Sequence, residues 1–358
     1  ARKAYTASRS FGISVSHSTQ GSPLKLILAF AVPLMLGSLF QQFYNLADTI
    51  IVGRFVGVEA LAAVGSVGGL NYLVLGFVNG IACGFSIPIS WTFGAKDYVE
   101  MRRYTANAVW LSVFFAAVLT VVTVAMTRSI LVWTNTPDNI IDLADIYIRT
   151  IFIGIPFTLL YNMTSALMRA LGDSKRPLYF LLVASFLNIG LDLLFVLAFR
   201  WGIAGAAAAT VFAQYVSGLG LWLYTRLRCR ELLPGRAELR FDRAILREIL
   251  DMSLLTCAQQ SAMNFGILLI QRLVDSFGPI TMAAFAAAVK IDTFAYLPVQ
   301  DFGNAFSTFI AQNYGAKEST RIRSGLKSAV CISMAFCVVI STLCLLYTSP
   351  SPRDKRQS

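Results

Sequence analysis

At 358 residues, 56% hydrophobic and only 14% charged, with a mean hydropathy of +0.64, the chain is too apolar for a soluble domain of its length. Its single histidine, His17, excludes a histidine-based catalytic triad and a multi-histidine metal centre, and its six cysteines are scattered without a CxxC pair, which argues against a zinc or redox site. The net charge of +11 does not call for nucleic acid, because the basic residues of a membrane protein gather in its cytoplasmic loops.

In chain order, residues 1–20 are polar, begin without Met and are read as a segment foreign to the fold. Apolar runs long enough to cross a bilayer, roughly 20 residues each, follow at 24–50, 60–92, 105–127, 143–168, 178–199, 203–225, 249–274, 280–312 and 326–346. The predicted fold class is all-α, a polytopic helical membrane protein embedded in a lipid bilayer by about nine spans. Basic residues alternate from loop to loop. Arg2, Lys3 and Arg9 precede span 1; Lys96, Arg102 and Arg103 separate spans 2 and 3; Lys175 and Arg176 separate spans 4 and 5. The largest cluster, "RLRCRELLPGRAELRFDRAILRE" (226–248), lies between spans 6 and 7, and Lys317, Arg321 and Arg323 follow span 8. The intervening "TNTPDNIIDLAD" (134–145) is acidic. This alternation predicts a cytoplasmic N-terminus.

The chain repeats itself. "FQQFYNLADTIIVGRFVGVEALAAVGSV" (40–67) resembles "AQQSAMNFGILLIQRLVDSFGPITMAAFAAA" (258–288), and "FGAKDYVEMRR" (93–103) matches "YGAKESTRIRS" (314–324). The period of about 220 residues holds an even number of spans, so both copies enter from the same side, as in secondary transporters with parallel repeats. The expected organisation is a six-helix N-lobe at 21–226, a basic cytoplasmic linker at 227–247 and a partial C-lobe of three helices at 248–343. By this count about three further spans, roughly 90 residues, are missing after span 9. The remaining tail, "CLLYTSPSPRDKRQS" (344–358), is basic where topology places it outside and resembles an in-frame sequencing adapter, so it is read as non-native.

Polar groups inside spans are costly and are the functional candidates. In span 1, Ser38, Gln41, Asn45 and Asp48 fall within roughly 80° of one another at 100° per residue. Span 5 puts Ser185, Asn188 and Asp192 on one face, and span 6 adds Thr210 and Gln214 one turn apart. Two carboxylates with amide and hydroxyl oxygens suit a small cation or a proton. Hydrogen bonding between helices accounts equally for Asn45, Ser185 and Gln214, whereas burying Asp48 and Asp192 merely as glue is expensive. In the second copy the position matching Asp48 is near Gly266; Gln260, Asn264 and Gln271 share a face without a central acid, so ion chemistry is expected in the first half. Gln41, Asn45, Gln260, Asn264 and Asp301 are the substrate-cavity candidates, Lys290 and Asp292 are expected to neutralise each other, and Arg149 to snorkel. Pro33, Pro88, Pro156 and Pro298 interrupt the helical ladder, and Pro33 is the candidate hinge because it shares a span with Asp48.

"QQFYNLADTIIVGRFVG" (41–57), "RALGDSKRP" (169–177) and "STFIAQNYGAK" (307–317), with the parallel repeat, resemble the multidrug and toxic compound extrusion (MATE) family of bacterial efflux transporters, over about residues 21–343. The resemblance implies twelve spans in two six-helix lobes around a central cavity. It also implies export of organic cations and other amphipathic compounds in exchange for Na+ or H+, across the bacterial cytoplasmic membrane. The family's span-1 acid matches Asp48, its Asn-x-x-x-Asp cation pair matches Asn188 and Asp192, its span-6 threonine matches Thr210 and its bending proline Pro33. It implies a monomer that is not an enzyme, with no cofactor beyond the coupling ion, Na+ being held at Asp48, Asn188, Asp192 and Thr210. A lipid-linked saccharide flippase of the same superfamily would want a strongly basic cavity, and here Arg149 and Lys290 are the only cations more than three residues inside the ends of the predicted spans. An intramembrane transferase would need an Asp-rich loop or a catalytic histidine, and the remaining alternative is an inactive transporter fragment.

Overall fold

A computed structural model describes residues 21–134, 136–235, 238–275, 277 and 279–348; the expected foreign segment at 1–20 and the tail from 349 lie outside the described residues. Each predicted span is helical. The order is α1 (Pro23–Ile51), α2 (Val58–Gly94), α3 (Tyr98–Trp133), α4 (Ile141–Ile153), α5 (Ile155–Ala170), α6 (Lys175–Leu193), α7 (Gly202–Arg228), α8 (Arg243–Asp275), α9 (Pro279–Gly315) and α10 (Ser319–Thr348). Among the described residues there is no strand. Helices α1, α2, α3, α6, α7 and α10 are long and apolar enough to cross a membrane, and α4 with α5, bent by 43°, makes a seventh such rod. Helices α8 and α9 coincide with the predicted spans 249–274 and 280–312.

Of the four prolines, only Pro156 stands where a rod breaks: it occupies the first turn of α5, directly after the Gly154 bend. Pro33, Pro88 and Pro298 lie inside continuous helices. A proline removes one ladder bond, and a helix packed among others can absorb that loss without breaking. The irregularity of the first rod lies elsewhere, in a π-helical turn at Val52–Val56.

The repeat is visible in the packing. Helix α1 lies against α6, α9 and α10, while α2 lies against α3, α5, α8 and α9. The α1–α9 and α2–α8 contacts are one contact seen from the two copies, as a twofold relation between parallel repeats requires. One apolar cluster joins Val52, Ala60 and Val78 to Ile148, Phe152 and Ile203 inside the first lobe. A second joins Phe85, Ile89 and Phe93 of α2 to Met101, Met163 and, across the lobes, Ile249 of α8. Arg149 pairs with Asp145 one turn back, at 3.0 Å. The side chains of Lys290 and Asp292 lie outside the described residues.

The linker between α7 and α8 is tied to the basic end of α3. Arg102 Nε meets Glu238 Oε1 at 2.6 Å, and its guanidinium donates to the Glu231 carbonyl at 3.2 Å. The Asn107 amide brackets the stretch beyond, accepting from the Asp242 N–H at 3.0 Å and donating to the Arg240 carbonyl at 3.4 Å. The Tyr104 hydroxyl donates to the Glu248 carboxylate. The Gly235 N–H, then Arg102, hold the Glu238 carboxyl below its ordinary value. Its contribution is therefore complete above the ordinary glutamate range and is lost as pH falls through the lowered value. Glu238→Gln is expected to speed hydrogen exchange of the 230–235 amides a few-fold at neutral pH, as wild-type protein does only in acid. Equal exchange in both proteins would show that the clamp contributes nothing.

Candidate cation site

Four elements of the first lobe converge on two buried acids. On α1, Tyr44 and Asp48 are one turn apart and both buried, facing α6. On α6, Asn188 and Asp192 are also one turn apart, 2% and 0% exposed. Helix α7 supplies Thr210 and Gln214, and α4 supplies Tyr147. The Asn188 amide donates to the Thr210 hydroxyl at 3.3 Å, and that hydroxyl donates to the Ala206 carbonyl at 3.2 Å. The Tyr147 hydroxyl hydrogen-bonds Asp48, and the Tyr44 hydroxyl lies between Gln41 and Gln214. A small cavity with room for on the order of one water is bounded by Tyr44, Leu181, Asn188, Thr210, Ala213 and Gln214.

The donors fall short of the acceptors. Asp48 Oδ1, Asn188 Oδ1 and both carboxylate oxygens of Asp192 find no hydrogen-bond partner among the described residues. Leaving buried acceptors unmet costs free energy, and unpaired carboxylates cost most. Oxygens of this kind around two acids suit a monovalent cation or protons. Among the described residues, no three His, Cys, Asp or Glu cluster as a multivalent metal centre would require.

Both acid-bearing helices lose α geometry just beyond the acid. Helix α1 passes into the π-turn Val52–Val56, and α6 into a second π-turn, Leu194–Ala198. The widened rings close through the Gly57 N–H to the Val52 carbonyl at 3.1 Å and the Phe199 N–H to the Leu194 carbonyl at 3.0 Å. The two π-turns pack on each other. Phe195, Phe199 and Trp201 pack on one another at the second π-turn, with ring centroids 5.0–5.8 Å apart. The chain then reverses into α7 through Arg200 and Gly202, both with left-handed φ near +56° and +57°. Single π-turns cluster at functional sites.

The structure places Asp48, Asn188, Asp192 and Thr210 at the junction of α1, α6 and α7. The polar stripe of α1 divides: Asp48 turns into the lobe, whereas Gln41 and Asn45 are exposed. Gln260 is half-buried on α8, and the side chain of Asn264 lies outside the described residues. Asp301 belongs to a separate polar group, with Ser38 of α1 as hydrogen-bond partner and the Arg169 charge of α5 nearby. Its Oδ2 is buried without a partner. Sequence reasoning missed Tyr44 and Tyr147; a search for hydroxyls inside apolar runs, extended to tyrosine, would have found both.

The MatE family model matches residues 33–194 and 256–352. The chain is 30% identical over 308 residues to the probable multidrug resistance protein YoeA of Bacillus subtilis, covering 84% of this chain and 66% of that protein. It is 31% identical over 309 residues to the probable multidrug resistance protein YpnP of the same organism, covering 85% and 68%. The chain therefore spans just under two thirds of the length of the first and slightly more of the second. A solved MOP superfamily transporter from Pyrococcus furiosus shares the fold, with a TM-score of 0.86 at 24% identity over 93% of this chain and 74% of that one. With the two matched stretches falling on the two copies of the internal repeat, the chain belongs to the MatE family, that of the multidrug and toxic compound extrusion transporters.

Proposed function

We propose that this chain works as a cation-coupled antiporter, exporting organic cations and other amphipathic drugs across the bacterial cytoplasmic membrane by alternating access. Na+ or H+ binds at Asp48, Asn188, Asp192 and Thr210, and drug binds between the lobes. The basic helix ends face the cytoplasm, and the protein acts as a monomer without nucleic acid or a cofactor beyond the coupling ion. The observation that carries this reading is the set of four unmet acceptor oxygens, on α1 and α6, around two acids. Its relatives' names as multidrug resistance proteins supply the drug class.

The chemistry gives the cycle its direction. With both carboxylates ionised and unpaired, packing α1 on α6 costs desolvation and mutual repulsion. A bound cation, or a pair of protons, removes that cost, so occupancy favours the packed arrangement. A ligand shifts such an equilibrium only through its different affinity for the two states. The ion and the drug need not touch; each favours a different packing of α1.

The test is efflux of an organic cation from proteoliposomes under an imposed Na+ or pH gradient. Efflux driven by one gradient and abolished by its collapse supports the reading, and no efflux under either sinks it. In the same assay Thr210→Val keeps the side-chain volume but removes the partner of Asn188. One hydrogen bond is worth about 1 kcal/mol, so the coupling ion's half-saturating concentration is expected to rise about five-fold at unchanged maximal rate.

A further inference from the structure

Helices α2 and α9 end in the related stretches "WTFGAKD" (91–97) and "QNYGAKE" (312–318). The two ends are capped alike. The N–H groups of Ala95, Lys96 and Asp97 donate to the carbonyls of Trp91, Phe93 and Thr92; those of Ala316, Lys317 and Glu318 donate to Gln312, Tyr314 and Asn313. Lys96 and Lys317 both adopt left-handed backbone, with φ of 61° and 59°. A Cβ on Gly94 would run into the backbone carbonyl of Gln312, and one on Gly315 into that of Trp91. The offset that carries Gly94 to Gly315 also carries Trp91 to Gln312, so the two collisions are one contact seen from the two repeats. The pseudo-twofold axis passes through this crossing, and residues without a Cβ are what let the two backbones touch there.

The crossing is fastened, and the helices part away from it. Gln312, fully buried, donates its side-chain amide to the Ala170 carbonyl at the end of α5 at 2.8 Å. Further along α2, Gly84 still meets the Ser253 backbone of α8, and a Cβ on Gly80 would sit 3.2 Å from Cys257 Cα. Among the described residues, Gly65, Gly68 and Gly69, toward the other end, have nothing within 4 Å. The approach tightens toward the basic ends.

We propose that the reciprocal Gly94–Gly315 crossing is the seal that closes the inter-lobe cavity to the cytoplasm, and that a side chain at either glycine holds the protein open on that side. The proposal rests on the alternating-access reading and names its moving contact. The two glycines are equivalent by symmetry, so they give equal effects.

The reporter is Cys83, which lies on α2 three turns in from Gly94, with the charges of Arg169 and Asp301 nearby. With the other five cysteines replaced, Cys83 is labelled by a membrane-impermeant maleimide from the cytoplasmic face of inside-out vesicles. Gly94→Ala and Gly315→Ala are each expected to raise the labelling rate about ten-fold, while Gly68→Ala leaves it unchanged. Unchanged labelling in both glycine variants overturns the proposal, as does a rise in only one of them. Should the variants fail to reach the membrane, Ala95→Cys with Ala316→Cys, in a background that keeps Cys83 as the one other cysteine, tests the same closure. A cross-link that forms and denies a cytoplasmic reagent access to the cavity until reduced supports the seal, and absence of any cross-link overturns it. Neither readout needs drug transport. A wild-type protein that labels as expected but exports nothing would therefore sink the proposed function and leave the closure standing.

Discussion

Asp192→Asn is expected to lower gradient-driven export by on the order of 100-fold while raising the protein's thermal stability in detergent. The two effects have one cause. Both carboxylate oxygens of Asp192 are buried without a partner, so an ionised side chain there is a standing cost to the lobe. The amide removes the charge at nearly constant volume. It also removes the feature that makes a cation's affinity depend on how α1 packs against α6. Driving a two-state equilibrium from 1:99 to 99:1 takes a differential affinity of about 10⁴, and one of two acids supplies roughly half of that on a logarithmic scale. Asp48→Asn should lose export to a similar degree with a smaller gain in stability, because Tyr147 already hydrogen-bonds Asp48. Export at the wild-type rate from either variant, at matched protein level, would remove these acids from the coupling site. Loss of export together with loss of stability would make them structural.

The spans were legible because nothing but a bilayer tolerates so long a succession of apolar runs, and the acids because charge stands out against that background. Helical spacing put Asn188 on the face of Asp192 and Thr210 one turn from Gln214, and the family resemblance then singled the two out. Tyr44 and Tyr147 were not, since a tyrosine reads as one more aromatic in a greasy helix until a partner for its hydroxyl is in view. The wheel of α1 grouped Gln41 and Asn45 with Asp48 correctly in angle, yet a helix between two environments shows only part of such a stripe to either. Pro33 marked a hinge that the helix runs through unbroken, whereas Pro156 marks a real bend. At that break Gly154 keeps ordinary helical dihedrals, and its missing Cβ leaves room for the Val211 side chain of α7. The repeated "GAK" gave the symmetry away, but only the three-dimensional crossing showed that the two glycines meet. The π-turns left no trace, because one extra residue in a helical turn leaves an apolar run still apolar.

Deleting Gly53 tests what those π-turns do. A π-turn holds one more residue than the α-turn it replaces and is less favourable, so it persists only where its surroundings impose it. Here the imposing feature is the packing of Val52–Val56 on Leu194–Ala198, one turn beyond Asp48 and directly beyond Asp192. Removing one residue lets α1 continue in α geometry to Gly57, where the left-handed glycine at φ 129° still ends it and starts α2. The chain between shortens by about 1.5 Å, which the turn at Gly57 can absorb, so the spans and the overall fold should survive. The contact between the two π-turns should not, because its surface is set by the widened ring. Asp48 then loses the support that fixes its approach to Asp192. The coupling ion's apparent affinity is expected to fall at least ten-fold, with the family fold retained by circular dichroism and by elution as a single species. The matching deletion of Val196 in the second π-turn should do the same, and the two together little more than either alone, since both break one contact. Full ion affinity in the Gly53 deletion would mean that the π-turn merely accommodates the aromatic cluster beyond it.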